Sequence, residues 1–124
     1  MDWLYDDTND SFSMRVGDFI SPRGILLADI TEATYMVKER MSDSDATAIV
    51  TLTLGAGLTL VAGDTEADAT LRVQFQDGNF GPGKLEINKR YYAGFGIKAV
   101  GWSKFLEIRL EDNRIKILAD IIHD

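Results

Sequence analysis

The sequence predicts an all-β fold: an antiparallel sandwich or barrel of about seven to nine strands. Three observations carry that expectation. Apolar and polar residues alternate with period two in several short runs. Gly, Asp, Asn and Ser clusters punctuate those runs at regular spacing. The segment Lys104 to Ile122 reads as a β-hairpin with its register written in.

Residues 1–10 carry Asp6, Asp7 and Asp10 beside the bulky Trp3, Leu4 and Tyr5, and read as an N-terminal arm. Residues 11–124 read as one β-domain. Ser11 to Val16 alternates Phe12, Met14 and Val16 with polar residues and makes a short first strand. Gly17-Asp18 and Ser21-Pro22-Arg23-Gly24 then supply turn chemistry.

Asp29 to Met41 fits two patterns. As a helix, Ile30, Ala33, Val37 and Met41 share a face behind a capping Asp29; as a strand, Ala33, Tyr35 and Val37 point one way. Periodicity alone does not decide, and the β-character of the remaining chain favours a strand.

Ala46 to Leu54 is rich in Thr, Val and Ile and reads as a strand, broken by Gly55-Ala56-Gly57 and resumed over Leu58 to Val61. Asp68 to Phe75 alternates cleanly. The loop Asp77 to Gly83 is the longest run of turn residues and reads as the flexible segment, with Leu85 and Ile87 as a short edge strand after it. Tyr91 to Val100 is the next long strand. Tyr91, Ala93, Phe95, Ile97 and Ala99 form its core face, with Tyr92, Gly94, Gly96 and Lys98 opposite. In the closing hairpin, a tip at Asp112-Asn113 sets Glu111 against Arg114, Leu110 against Ile115, Ile108 against Ile117 and Leu106 against Ala119.

Composition excludes several classes of function. A chain of 124 residues with 45% hydrophobic and 27% charged residues fits one globular domain. It contains no cysteine, which removes disulfides, thiolate metal sites and thiol catalysis. A formal charge of −7 with scattered basic residues argues against nucleic-acid binding. The N-terminus lacks a signal-peptide pattern and no apolar run approaches the roughly 20 residues needed to span a bilayer, so the expectation is a cytoplasmic protein without membrane insertion.

No catalytic constellation is legible, and the expectation is a chain that is not an enzyme and uses no cofactor. His123 is the single histidine, near the C-terminus, where a partner to fix its tautomer is rare. Asp6-Asp7-Thr8-Asn9-Asp10 and Asp43-Ser44-Asp45 lack the alternating ligands, glycine and distal Glu of a calcium loop, so no metal site is expected. The glycine runs at 55–57 and 81–83 are not followed by the Lys-Ser/Thr or dinucleotide spacing of a phosphate cradle. What remains is aromatic. Trp3 and Tyr5 on the arm and Trp102 at a hairpin tip are large groups of the kind that anchor interfaces. Tyr92, Gly94 and Gly96 form a second, weaker patch, because facing glycines leave a shallow strip where another backbone can lie close.

Three segments carry a family resemblance: Ile25 to Lys38, Leu85 to Ile97 with Tyr91-Tyr92 opening a strand, and the closing hairpin. Together they resemble the β-sandwich domains of tailed-phage and prophage baseplate and tail-associated proteins, in particular the N-terminal domain of baseplate upper proteins. The resemblance implies an immunoglobulin-like sandwich, a strand at Asp29–Met41, and a structural virion role without enzyme activity. It implies other phage structural proteins or self-association as partners, and host cytoplasm during assembly, then the virion, as location. This chain departs from the pattern in placing Gly17-Asp18 after its first strand and in ending right behind the sandwich, without a fibre extension. A small carbohydrate- or ligand-binding sandwich, using Trp102 and the loop 77–83, is the alternative.

Overall fold

A computed structural model describes residues 1–108 and 113–119. Among the described residues the strands are β1 (Asp2–Leu4), β2 (Phe12–Met14), β3 (Ile30–Lys38), β4 (Val50–Leu54), β5 (Gly57–Val61), β6 (Thr70–Val73), β7 (Arg90–Ala99), β8 (Leu106–Ile108) and β9 (Arg114–Leu118), with one short α-helix, α1 (Gly17–Ile20), and four single-turn 3-10 helices. The all-β expectation holds, and the Asp29–Met41 stretch forms its strand over Ile30–Lys38, behind a 3-10 turn that ends at Asp29. No helix among the described residues is long and apolar enough to cross a membrane.

The strands make one curled, mixed sheet in the order β1-β9-β7-β3-β4-β5-β6-β2, with β8 also on β7. This corrects the purely antiparallel, two-sheet arrangement. The pairs β1·β9 and β4·β5 are parallel, and the hydrogen-bonded path does not break. The cause lies at Gly55-Ala56-Gly57, which turns β4 into β5 four residues on, with Thr53 beside Gly57 and Leu54 beside Leu58. Gly57 has φ +102°, and a Cβ there would sit 2.7 Å from the Leu52 side chain and 2.9 Å from the Gln74 carbonyl. Only glycine fits this corner. It hands one run from β3 to β6 instead of ending one sheet and starting another.

The curl is closed by aromatic rings. Trp3 on β1 and Phe12 on β2, at opposite ends of the strand order, meet edge-to-face at 5.7 Å. Phe75 joins Trp3 at 5.2 Å, Phe80 at 5.9 Å and Tyr35 at 6.4 Å, and Tyr5 meets Phe80 at 5.5 Å. Edge-to-face pairs add about 0.5–1.5 kcal/mol each beyond the area they bury. The aliphatic core, including Val37, Leu58, Leu71, Ile97 and Ile117, fills the remaining interior.

Residues 2–4 are therefore a strand of the sheet, where an arm was expected. Tyr5 N–H donates to the Leu118 carbonyl at 2.8 Å, and Lys116 N–H to the Met1 carbonyl at 2.9 Å. The loop 77–83 is also tied down. The Gln76 N–H donates to the Asn79 side chain at 2.7 Å, and the Gly81 N–H to the Leu85 carbonyl at 3.0 Å. Leu85 is fully buried in an isolated bridge to Phe80 and Ile87 lies in a turn, so neither forms the expected edge strand.

The closing hairpin is not formed as expected. Ile108 lies opposite Phe95 and Leu106 opposite Ile97, both on β7. Ile115 lies opposite Tyr91 and Arg114 opposite Tyr92, again on β7. Between Tyr92 and Phe95 the long strand advances three residues while its neighbour advances six, from Ile108 to Arg114. The alternation in residues 106–118 fixes which side chains face inward; it does not fix which backbone they pair with. The free edge of the ten-residue β7 takes both short strands in succession to satisfy its hydrogen-bonding groups. The expected pairs through Leu110 and Glu111, the Asp112 half of the tip, and His123 lie outside the described residues.

Candidate functional site

Strand β7 crosses the middle of the sheet, and its parity decides what the outer face displays. Tyr91, Ala93, Phe95, Ile97 and Ala99 are buried, as the alternation predicts. Arg90, Tyr92, Gly94, Gly96 and Lys98 point outward. On the neighbouring β3, Lys38 stands opposite Tyr92, Met36 opposite Gly94 and Thr34 opposite Gly96. On the other side Glu107 stands opposite Gly96.

Two glycines between larger neighbours leave a groove of about 270 Å³, floored by Gly94 and Gly96 and walled by Met36, Thr34, Phe105 and Glu107. At the rim near β3, the Lys38 ammonium binds the Asp45 carboxylate at 2.7 Å and the Asp43 carbonyl at 3.0 Å. Further along, Lys98 pairs with Glu32 at 3.5 Å and lies 4.9 Å from the Phe105 ring centre.

The two glycines differ. A Cβ on Gly96 would touch the Phe105 ring and the Leu106 carbonyl at 3.4 Å, an ordinary contact distance, so this position is lined by its neighbours on β8 and the residue before it. A Cβ on Gly94 would meet nothing within 4 Å among the described residues, and Gly94 is not in the left-handed region. No turn, close approach or special dihedral among the described residues requires glycine there.

The residues singled out as partner contacts fall into separate places. Tyr92, Gly94 and Gly96 lie together on the outer face of β7. Trp102 is half-buried in the turn between β7 and β8, its backbone N–H donating to the Ala99 carbonyl at 3.0 Å. Tyr5 is half-buried against Phe80. Trp3 is 7% exposed, and its indole N–H donates to the Asp7 carbonyl at 3.0 Å, so this ring belongs to the interior. Its alternation with Asp2 and Leu4 was too short to register as a strand.

Sequence reasoning missed Phe105, Met36 and Glu107, which join the glycines only through pairing. It also missed a basic end of the same face. Arg90 is directly opposite Lys116, and Tyr92 opposite Arg114. Arg90, Arg114 and Lys116 line a hollow of about 240 Å³ beside Asp2. The signal was present in part, since Arg90 shares the parity of Gly94. Among the described residues no three His, Asp or Glu side chains gather as a metal-binding group.

The chain is thus an all-β domain with a grooved outer sheet face. No protein-family model, curated protein or solved structure matches it.

Proposed function

We propose that this chain is a non-enzymatic assembly module that docks a neighbouring protein subunit on the outer face of β7. The observation that carries the reading is Gly94. Glycine inside a strand costs about 0.5–1 kcal/mol relative to alanine, and no described contact here repays it. A smooth strip between Met36 and Phe105 suits the close approach of another backbone. Phe105, 44% exposed at its edge, supplies the apolar contact such an approach buries.

The sequence resemblance to baseplate and tail-associated proteins supports reading the module as part of a phage or prophage tail, with other virion proteins or a second copy as neighbours. That placement is part of the proposal, as is assembly in the host cytoplasm followed by incorporation into the virion. Light scattering after size-exclusion chromatography tests the docking, on the chain alone and mixed with the products of flanking genes. Association that is lost in Gly94→Phe, with the melting temperature retained, is the expected result. A strictly monomeric chain at millimolar concentration that binds none of those products sinks the reading.

A further inference from the structure

We infer that the basic end of this face, built by Arg90, Arg114 and Lys116, is a binding site for a carboxylate-rich protein segment. The inference deepens the docking reading by naming the chemistry of the partner, and rests on it only for the partner's being a protein.

The first ground is a local conflict in the sheet. Arg90 and Lys116 are directly opposed across β7·β9, an arrangement of like charges that disfavours the pairing. Arg114 follows on the same face two residues from Lys116. Asp2 stands beside Lys116 on β1, yet the two form no ion pair, and neither Arg90 nor Lys116 has an ion-pair partner among the described residues. The other outward lysines of β3 and β7, Lys38 and Lys98, each have an acidic partner at 2.7 Å and 3.5 Å. In a chain of net charge −7, acids are plentiful elsewhere. The cluster is a feature of the register, not an overflow of basic composition.

The second ground is continuity. Arg90, Tyr92, Gly94 and Gly96 form one outward row, so an extended segment lying on the glycines reaches the basic hollow in about 13 Å, four residues of strand. The Arg90 guanidinium and the Lys116 ammonium beside a hollow of about 240 Å³ suit one carboxylate. A nucleic acid fits less well. Its phosphates continue past the patch along a chain of net charge −7, whereas a protein segment can confine its charge within a Debye length of about 8 Å and continue as neutral chain.

The test is fluorescence anisotropy on the full chain with a fluorescein-labelled hexa-aspartate peptide at low salt. Binding is expected to weaken roughly tenfold or more in Arg90→Ser and in Lys116→Ser, and to survive in Lys116→Arg. Thermal melts establish that each variant is folded. Failure of the wild-type chain to bind hexa-aspartate, or binding by both serine variants as tight as that of the wild-type chain, overturns the inference. So does a labelled oligothymidylate that binds more tightly than hexa-aspartate. Gly94→Phe separates the two ideas: it blocks the strip and leaves every charge in place. Hexa-aspartate binding that persists in this variant while subunit association was never seen rejects the docking reading and keeps the site.

Discussion

The hydroxyl of Tyr91 accepts the backbone N–H of Glu86 at 2.8 Å while donating to the Lys84 carbonyl at 3.0 Å. One side chain at the start of β7 thereby holds the loop that leads into it. The ring itself is fully buried. Lys89 reinforces the same turn through its ion pair with Glu86 at 2.8 Å, a contact that raises the lysine's pKa above its ordinary value.

Tyr91→Phe keeps the packing and removes both hydrogen bonds, with an expected loss of about 1–3 kcal/mol in urea denaturation. The variant also changes the alkaline limb. Burial is the main cause that raises the Tyr91 hydroxyl above its ordinary pKa of 10.0. The folded state therefore holds a proton that the unfolded chain releases near pH 10. This contribution is complete below pH 10 and is lost as pH rises through the folded value. Stability measured from pH 8 to 11 should fall more steeply in the wild-type chain than in Tyr91→Phe. Parallel curves would contradict the assignment.

Trp3→Ala opens a cavity where the ends of the sheet meet and removes the ring contacts to Phe12 and Phe75. A cost of about 3–5 kcal/mol is expected. Were Trp3 a displayed contact residue instead, the substitution would leave the urea midpoint within error of wild type.

Gly17 and Gly94 answer oppositely to one added methyl. At Gly17 a Cβ would run into the Ala67 carbonyl, and the Gly17 N–H donates to the Ala69 carbonyl at 2.9 Å. Backbone must move, so Gly17→Ala should cost at least the 1–3 kcal/mol typical of overpacking. At Gly94 an added Cβ meets nothing within 4 Å among the described residues, and Gly94→Ala should gain about 0.4–1 kcal/mol by restricting the unfolded chain. Thermal melts of the two variants should shift in opposite directions, and a shared sign would show that the outer face is closed over Gly94.

Strand β7 was legible in the sequence, with its inward set read residue by residue, whereas β3 fits a helical face as well by periodicity and followed only from the β-character of the remaining chain. Partner choice was not legible. Leu106, Ile108, Ile115 and Ile117 face inward either as a hairpin or as two successive neighbours of β7, and the hydrophobic pattern is the same in both. Strand β1 was missed because three residues carry too little periodicity, and its pairing depends on a strand at the other end of the chain. Tyr92, Gly94 and Gly96 were visible as a patch through parity. The basic hollow needed the β7·β9 register, which no local pattern encodes.

The parallel pairing of β1 with β9 also orders events in time. Asp2 and Lys116 are partners 114 positions apart. On a ribosome adding about 5–20 residues per second, the first strand waits many seconds for its neighbour. Until then Trp3 and Tyr5 have no finished interior to enter, and closure of the ring cluster becomes a late step with high contact order. The feature that seals the domain is also the one that leaves its nascent chain longest exposed.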